Sequence, residues 1–259
     1  MAAERILVKL GGTLLDDPAS RRRLAREIAE LSASGPRLTL VHGGGKQMTR
    51  YLAERGVESQ FVNGLRVTTP DVVDALLKIF AGSVNHSLVA SLVEAGALAV
   101  GLSGIDALLA EAEQMDPQLG AVGRVVKSNG GLLETLTSAG YLPVVACVAG
   151  DRAGNIYNVN ADQMAVACAG GFQATRLVFL TDVEGVLDAT KTLVPVLNKA
   201  ACRELITSGV ATGGMQAKLE AAMSALDAGV GHVHIVGGAT PGVLAAVVAG
   251  HQAGTLLEV

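Results

Sequence analysis

The sequence predicts an α/β fold, a three-layer αβα sandwich around a mostly parallel central sheet. Three observations carry that expectation. Apolar runs of strand length alternate with stretches of helical periodicity along the whole chain. Half of the 259 residues are apolar while aromatics make up only 3%. The core must then be built from Val, Leu, Ile and Ala, as in strands buried on both faces. Finally, glycine-rich segments stand where strands end and helices approach, the edge at which open parallel sheets gather ligands.

Residues 6–10 read as the first strand. Asp17 and Pro18 then supply an N-cap followed by proline at the first helical position, and Leu24, Ile28 and Leu31 mark one helical face. Gly35 and Pro36 stop that helix before a second strand at 38–41. The scheme repeats with a helix over 46–55, ended by Gly56. A third helix spans about 70–95, closed by Gly96, and leads into a strand at 97–102. Residues 108–113 and 122–127 partly alternate polar with apolar across a turn containing proline and glycine, the pattern of a β-hairpin. A helix over about 131–139 and a buried strand over 142–148 follow. The second half adds a helix from Ala161, a strand at 177–180 and a short helix near 199–208. It closes with a helix from Gly214, a strand at 232–236 and a helix from Pro241. No linker, low-complexity tract or repeat interrupts this order, so a single domain over 1–259 is expected. Within it, an N-lobe of about 1–150 and a C-lobe of about 151–259 would meet at a hinge near 148–156.

Bulk properties narrow the function. A net charge of −4 argues against nucleic acid as the main partner, since phosphate-backbone binding needs a basic face. No uninterrupted apolar run reaches the ~18 residues that span a bilayer, so no membrane partner is expected. The mean hydropathy of +0.43 points instead to buried strands or an apolar subunit interface. The N-terminus lacks a basic region, a long apolar stretch and a small-residue cleavage site, and a cytoplasmic location is expected. Cys147, Cys168 and Cys202 are widely spaced in apolar sequence and read as reduced core thiols.

Three segments point to the chemistry. They are Lys9-Leu10-Gly11-Gly12, Val41-His42-Gly43-Gly44-Gly45, and Thr212-Gly213-Gly214-Met215 with Lys218 beyond. Glycine lets backbone N–H groups approach an anion closely, and two lysines can neutralise charge from opposite sides. Together they indicate phosphoryl transfer. Asn158, Asn160 and Asp162 stand at an expected helix start, where a single Asx residue would serve as a cap. Three within five residues exceed that need. Asn63-Gly64-Leu65-Arg66 places an arginine in a turn, suited to a bidentate grip on a carboxylate and, taken alone, equally a surface cation. The run Thr181-Asp182-Val183-Glu184-Gly185-Val186-Leu187 follows a strand as a nucleotide-proximal loop would. It lacks the order of a P-loop, no G-x-G-x-x-G opens a βαβ unit, and no G-x-S-x-G elbow occurs. The histidines show no metal-ligand spacing.

These segments, in this order and over nearly the whole chain, resemble the amino acid kinase family, and within it the acetylglutamate branch. Lys-x-Gly-Gly is shared by many members. Asn63-Gly64-Leu65-Arg66-Val67-Thr68 and Asn158-Val159-Asn160-Ala161-Asp162 are much more specific to that branch, and Gly101-Leu102-Ser103-Gly104 extends the match. Ile105 stands where a lysine often follows, and Gly237 where an aspartate commonly follows the penultimate strand.

The resemblance implies ATP-dependent phosphorylation of the γ-carboxylate of N-acetyl-L-glutamate, the second step of arginine synthesis. A carboxylate with pKa ~4.3 is already ionised at neutral pH, so no general base is required. The same resemblance implies Lys9, Lys218 and Asp162 as the catalytic set. It places Gly44, Gly45, Arg66, Asn158 and Asn160 on the acceptor. Gly11, Gly12, Asp182, Val183, Gly185, Val186, Leu187, Gly213, Gly214 and Met215 fall on the ATP side, with Mg2+ held mainly by the ATP phosphates. It further implies a homodimer joined through the helix near 70–95. Two readings stay open beside this one. A kinase for aminoadipate or glutamate linked to a carrier protein is the first, although its glycine loop is usually shorter. A non-catalytic nucleotide-binding protein of the same fold is the second, although it need not keep both lysines and Asp162. Arginine-inhibited members usually carry a helix ahead of the first strand, so arginine feedback is expected to be absent.

Overall fold

The structure is a computed structural model, and it describes residues 3–258. From β1 (Arg5–Leu10) the chain passes through α1 (Gly12–Asp16), α2 (Pro18–Ala33), β2 (Arg37–His42) and α3 (Gly45–Ala53). A small hairpin of β3 (Phe61–Val62) and β4 (Leu65–Arg66) comes next. Then α4 (Pro70–Leu76), a π-helical segment (Leu77–Val84) and α5 (Asn85–Glu94) run on as one helix. The middle of the chain holds β5 (Ala99–Ser103), β6 (Ala110–Gln114), β7 (Gly123–Ser128), α6 (Gly130–Ser138), β8 (Leu142–Ala146), β9 (Val148–Gly150) and β10 (Ile156–Asn158). The remainder is α7 (Ala161–Phe172), β11 (Arg176–Thr181), β12 (Val196–Leu197), α8 (Lys199–Thr207), α9 (Gly213–Asp227), β13 (His232–Gly237), α10 (Val243–Val248) and β14 (Thr255–Leu257).

Eight strands form the central sheet in the order β12-β14-β13-β11-β1-β2-β8-β5. The six from β13 to β5 are parallel, β14 pairs antiparallel to β13, and β12 forms the edge beyond it. The expected mostly parallel sheet is therefore present. One helical layer holds α6, α7 and α9, and the other holds α2, α5 and α10. With a layer on each face, β1 and β11 have almost no solvent contact, which is why both read as continuous apolar runs. Asp17 caps α2 as anticipated, its Oδ2 accepting from the Ser20 amide at 2.8 Å with Pro18 at the first turn.

Four features depart from the sequence expectations. The helix over 70–95 contains the π-helical segment, which shifts its face midway. The strand expected over 142–148 breaks at Cys147, where the chain leaves the large sheet for a second one of order β10-β9-β6-β7. Residues 148–158, where no strand pair was read, form the β9–β10 hairpin, its turn closed by Asp151 Oδ1 accepting the amides of Ala153 and Asn155, each at 2.9 Å. The strand expected from 108 begins only at Ala110, because Ala107 and Leu108 both sit at φ 51°. Among the described residues one helical stretch, Pro70–Glu94, is long and apolar enough to cross a membrane (25 residues, with an 18-residue window of mean hydropathy 1.4). It packs on α2, β5 and β8, the position of a core helix.

Candidate active site

The site is assembled at the carboxyl end of β1 and the start of α7. Lys9 pairs in register with Val41 of β2 and Phe179 of β11, so neighbouring strands fix its backbone on both sides. Strand alternation sends Lys9 and Leu10 to opposite faces. The three Asx residues at the α7 start divide the work. Asn160 is the N-cap, its Oδ1 accepting from Asp162 N at 2.8 Å and Gln163 N at 3.3 Å. Asp162, in the first turn, has Oδ1 2.6 Å from Lys9 Nζ and Oδ2 3.6 Å from Lys218 Nζ on α9. Asn158 donates from Nδ2 to Thr68 Oγ1 at 3.0 Å. Only Asn160 serves as the cap, so Asn158 and Asp162 are not spent on the helix start.

Lys9 and Asp162 are only 7% and 6% exposed, so their charges are largely out of water. Breaking such a pair from one side costs about 3–5 kcal/mol, because the remaining charge is left buried alone. Two ammonium groups share one carboxylate, and the cluster keeps a net positive charge. The helix N-terminus adds to that positive field. Such a centre can hold an anion and stabilise negative charge that builds up beside it.

A cavity of about 180 Å³ lies at the start of α7, next to the turn that carries Asp162, walled by the Gly43–Gly45 loop, Phe61, Phe80, Arg66, Asn158 and Asn160. Arg66 is buried and tied down: its guanidinium donates to Gly45 O at 3.1 Å, to Thr49 Oγ1 at 2.8 Å and to Ser59 Oγ. It also lies over the Phe61 ring, 4.6 Å from the centroid. Thr68, which receives Asn158, donates in turn to Arg66 O at 2.8 Å. Gly44 is required by space: a Cβ there would stand 2.8 Å from Cδ1 of Phe80. Cys147 also lines the cavity, and burial pushes its thiol up to about 12, so it stays protonated.

A larger cavity of about 920 Å³ shares Gly64, Leu65 and Asn160 with the first. Asp162, Lys218, Gly213, Gly214 and Arg124 are among its walls. Gly213 needs its φ of 54°, which opens α9. Lys9, Gly11, Asp182, Val183, Gly185, Val186, Leu187 and Met215 line neither cavity. Lys9 meets the larger one through Asp162. Gly11 N donates to Leu180 O at 2.9 Å, and Gly12 begins α1. Thr13 Oγ1 reaches Asp182 Oδ2 at 3.5 Å, which sets the two strand ends side by side. Val186 is fully buried and its amide donates to Thr255 Oγ1 at 2.9 Å, so its side chain forms the floor of that loop. Asp182, Val183 and Leu187 are exposed on top of it.

A model of the amino acid kinase family matches residues 4–237. The chain belongs to the amino acid kinase family. It is 66% identical over 251 residues, covering 97% of this chain and 98% of the relative, to a protein of Solibacter usitatus named acetylglutamate kinase. A protein of Agrobacterium fabrum with the same name is 41% identical over 97% of this chain and 90% of its own length. Among solved structures, N-acetylglutamate synthase from Neisseria gonorrhoeae, complexed with coenzyme A and N-acetyl-glutamate, superposes with a TM-score of 0.88 at 26% identity. That likeness covers 99% of this chain but 59% of the synthase, so the chain spans less than two thirds of that protein. Carbamate kinase from Giardia lamblia, at 16% identity and a TM-score of 0.74 over 99% of both chains, shares the fold.

Packing accounts for one of the two departures from the family pattern: Gly237 lies so close to the loop after β11 that a Cβ would stand 3.2 Å from Glu184 Cα. Ile105 is half-buried and packs against the hydrophobic core. Ser59, Thr49, Thr68 and Phe80 were not anticipated as parts of the site. One signal pointed to Phe80: the chain has only four phenylalanines, and two of them line the smaller cavity.

Proposed function

We propose that this amino acid kinase transfers the γ-phosphoryl group of ATP to the γ-carboxylate of N-acetyl-L-glutamate, the second step of arginine synthesis. The observation that carries the reading is Asp162 held between Lys9 and Lys218, at 2.6 Å and 3.6 Å, beside a small cavity with a buried arginine. A carboxylate must approach a polyanionic phosphate, so the barrier is electrostatic and catalysis is positioning plus neutralisation. Lys9 and Lys218 stabilise the phosphoryl group in transit, and Asp162 orients both ammoniums. Gly44 and Gly45 amides contact the acceptor, with Arg66, Asn158 and Asn160 gripping its α-carboxylate and neighbouring polar atoms. Gly11 and Gly12 lie near the phosphates. Asp182, Val183, Gly185, Leu187, Gly213, Gly214 and Met215 serve the nucleotide, and Val186 supports that loop from below.

The donor set fits a Mg2+ ion brought in by ATP. Among the described residues no cluster of three or more His, Cys, Asp or Glu could cage a metal, and Asp162 is engaged by two lysines. Mg2+ would be held mainly by phosphate oxygens, neutralising their charge. In this reading the acceptor belongs chiefly to residues about 1–150 and ATP to about 151–259, within a cytoplasmic homodimer joined through the helix near 70–95. The relatives' names and the complete Lys–Asp–Lys set favour this reading over a carrier-linked substrate or a non-catalytic binder.

The test is hydroxylamine trapping of the acyl phosphate formed from Mg-ATP and N-acetyl-L-glutamate, with glutamate and aspartate in parallel. Hydroxamate from the acetylated substrate alone is the expected result. Nucleotide binding without turnover of any of the three would contradict it.

A further inference from the structure

Behind the glycine loop lies a buried polar chain that the mechanism above does not use. His42, the last residue of β2, has no solvent exposure, and its Nδ1 is 2.8 Å from Gly43 O. Its Nε2 is 3.0 Å from Nδ2 of Asn85, itself 1% exposed. The same Asn85 nitrogen lies 2.9 Å from Val144 O on β8. A backbone carbonyl can only accept, which settles that the amide nitrogen of Asn85 faces this way. That nitrogen donates to His42 Nε2 as well, so Nε2 is an acceptor. The imidazole proton is then on Nδ1 and is donated to Gly43 O. Burial holds the ring down at about 4 despite the Gly43 bond, so it is neutral at pH 7.

We infer that Asn85 and His42 are positioning residues for the acceptor: Asn85 selects the imidazole tautomer, and His42 fixes the Gly43–Gly44 peptide plane. The inference rests on the acceptor role proposed for Gly44 and Gly45. In a planar trans peptide the carbonyl and the following N–H point opposite ways. Holding Gly43 O on His42 therefore turns the Gly44 N–H away from the imidazole. Three consecutive glycines have no side chains with which to hold that orientation themselves. The π-helical segment explains how one helix supplies the support. Phe80 packs on Gly44, and Asn85, five residues later, reaches His42. Residues five apart on an α-helix point about 140° away from each other. The wider π turn returns them to one side.

The first measurement is the tautomer of His42 in the wild-type protein, from long-range 1H–15N correlation spectra assigned by difference against His42→Asn. The Nδ1–H form across pH 6–8 is expected; an Nε2–H form would overturn the inference whatever the variants do. Steady-state kinetics follow. His42→Leu and Asn85→Leu should raise the acceptor KM roughly tenfold, the loss of one oriented hydrogen bond, with the ATP KM and kcat within about twofold. His42→Asn keeps a donor near the Nδ1 position and should recover most of that loss, which a purely structural role would not predict. Folded variants with a wild-type acceptor KM would overturn the inference and leave the proposed function standing. Wild-type protein that fails to phosphorylate N-acetyl-L-glutamate would instead sink the proposed function.

Discussion

The two sides of the Lys9–Asp162–Lys218 centre are built differently. On the side proposed for the acceptor, the polar groups are cross-tied, with Arg66, Thr68 and His42 buried. Arg66 is fixed by Ser59, Thr49 and Gly45, Asn158 by Thr68, and the glycine loop by His42 and Phe80. On the side proposed for the nucleotide, Asp182, Val183, Gly213 and Gly214 are exposed. That loop is secured from beneath, by Val186 N on Thr255 Oγ1 and by the close approach of Gly237. Selectivity for one small carboxylate needs side chains already held at set positions. A polyphosphate presents much charge to backbone amides and lysines, and needs less prior order. Under the proposed assignment, the contrast teaches that acceptor choice would be stored in a preassembled network, whereas the nucleotide side would supply mainly charge and backbone.

The largest break should come at the centre, where both sides meet. Asp162→Asn leaves two ammoniums facing a neutral amide, and kcat should fall by roughly two decades or more. Either KM should change far less. An Asp162→Asn enzyme with near-normal kcat would remove the centre from the chemistry. Next, Arg66→Lys loses the fork that reaches three oxygens and should raise the acceptor KM by roughly one to two decades, with the ATP KM unchanged. Equal effects on both substrates would erase the contrast. Gly44→Ala puts a Cβ 2.8 Å from the Phe80 ring. It should raise the acceptor KM by roughly tenfold, and Phe80→Leu in the same chain should restore part of it. Asp182→Ala, on the looser side, should raise the ATP KM by only a few-fold, about the loss of one exposed hydrogen bond.

Much of the fold was legible because of burial on both faces. β1, β2, β8, β11 and β13 read as strands since each lies between helical layers and carries an apolar run. The outermost strand β12 and its neighbour β14, two and three residues long, are too short to leave a period. The π-helical segment was hidden because its pattern over a few residues matches that of an ordinary helix. At the site, Lys9, the glycine loops and Arg66 stood out as local segments. Their supports did not: Asn158 lies 90 residues from Thr68, and Asn85 lies 43 from His42. No local pattern reports such a contact.

A smaller effect concerns stability. Burial, their largest cause, lowers both His42 and His234 to about 4 from 6.5. The unfolded chain therefore takes up these protons first as pH falls. Their contribution is complete above pH ~6.5 and is lost progressively down to about pH 4, with a slope of up to about 1.4 kcal/mol per pH unit for each ring. Melting temperatures between pH 7.5 and 5 should fall, and His42→Asn should make that fall shallower. An unchanged slope would mean that His42 is not buried as a neutral ring.

The most direct test of the central claim is a rapid-quench single turnover of Lys9→Ala with both substrates saturating, beside equilibrium binding of N-acetyl-L-glutamate. The account predicts that phosphoryl transfer slows by roughly a hundredfold or more while acceptor binding changes by less than about threefold. Transfer at a near-wild-type rate, or loss of acceptor binding as the main defect, would contradict it.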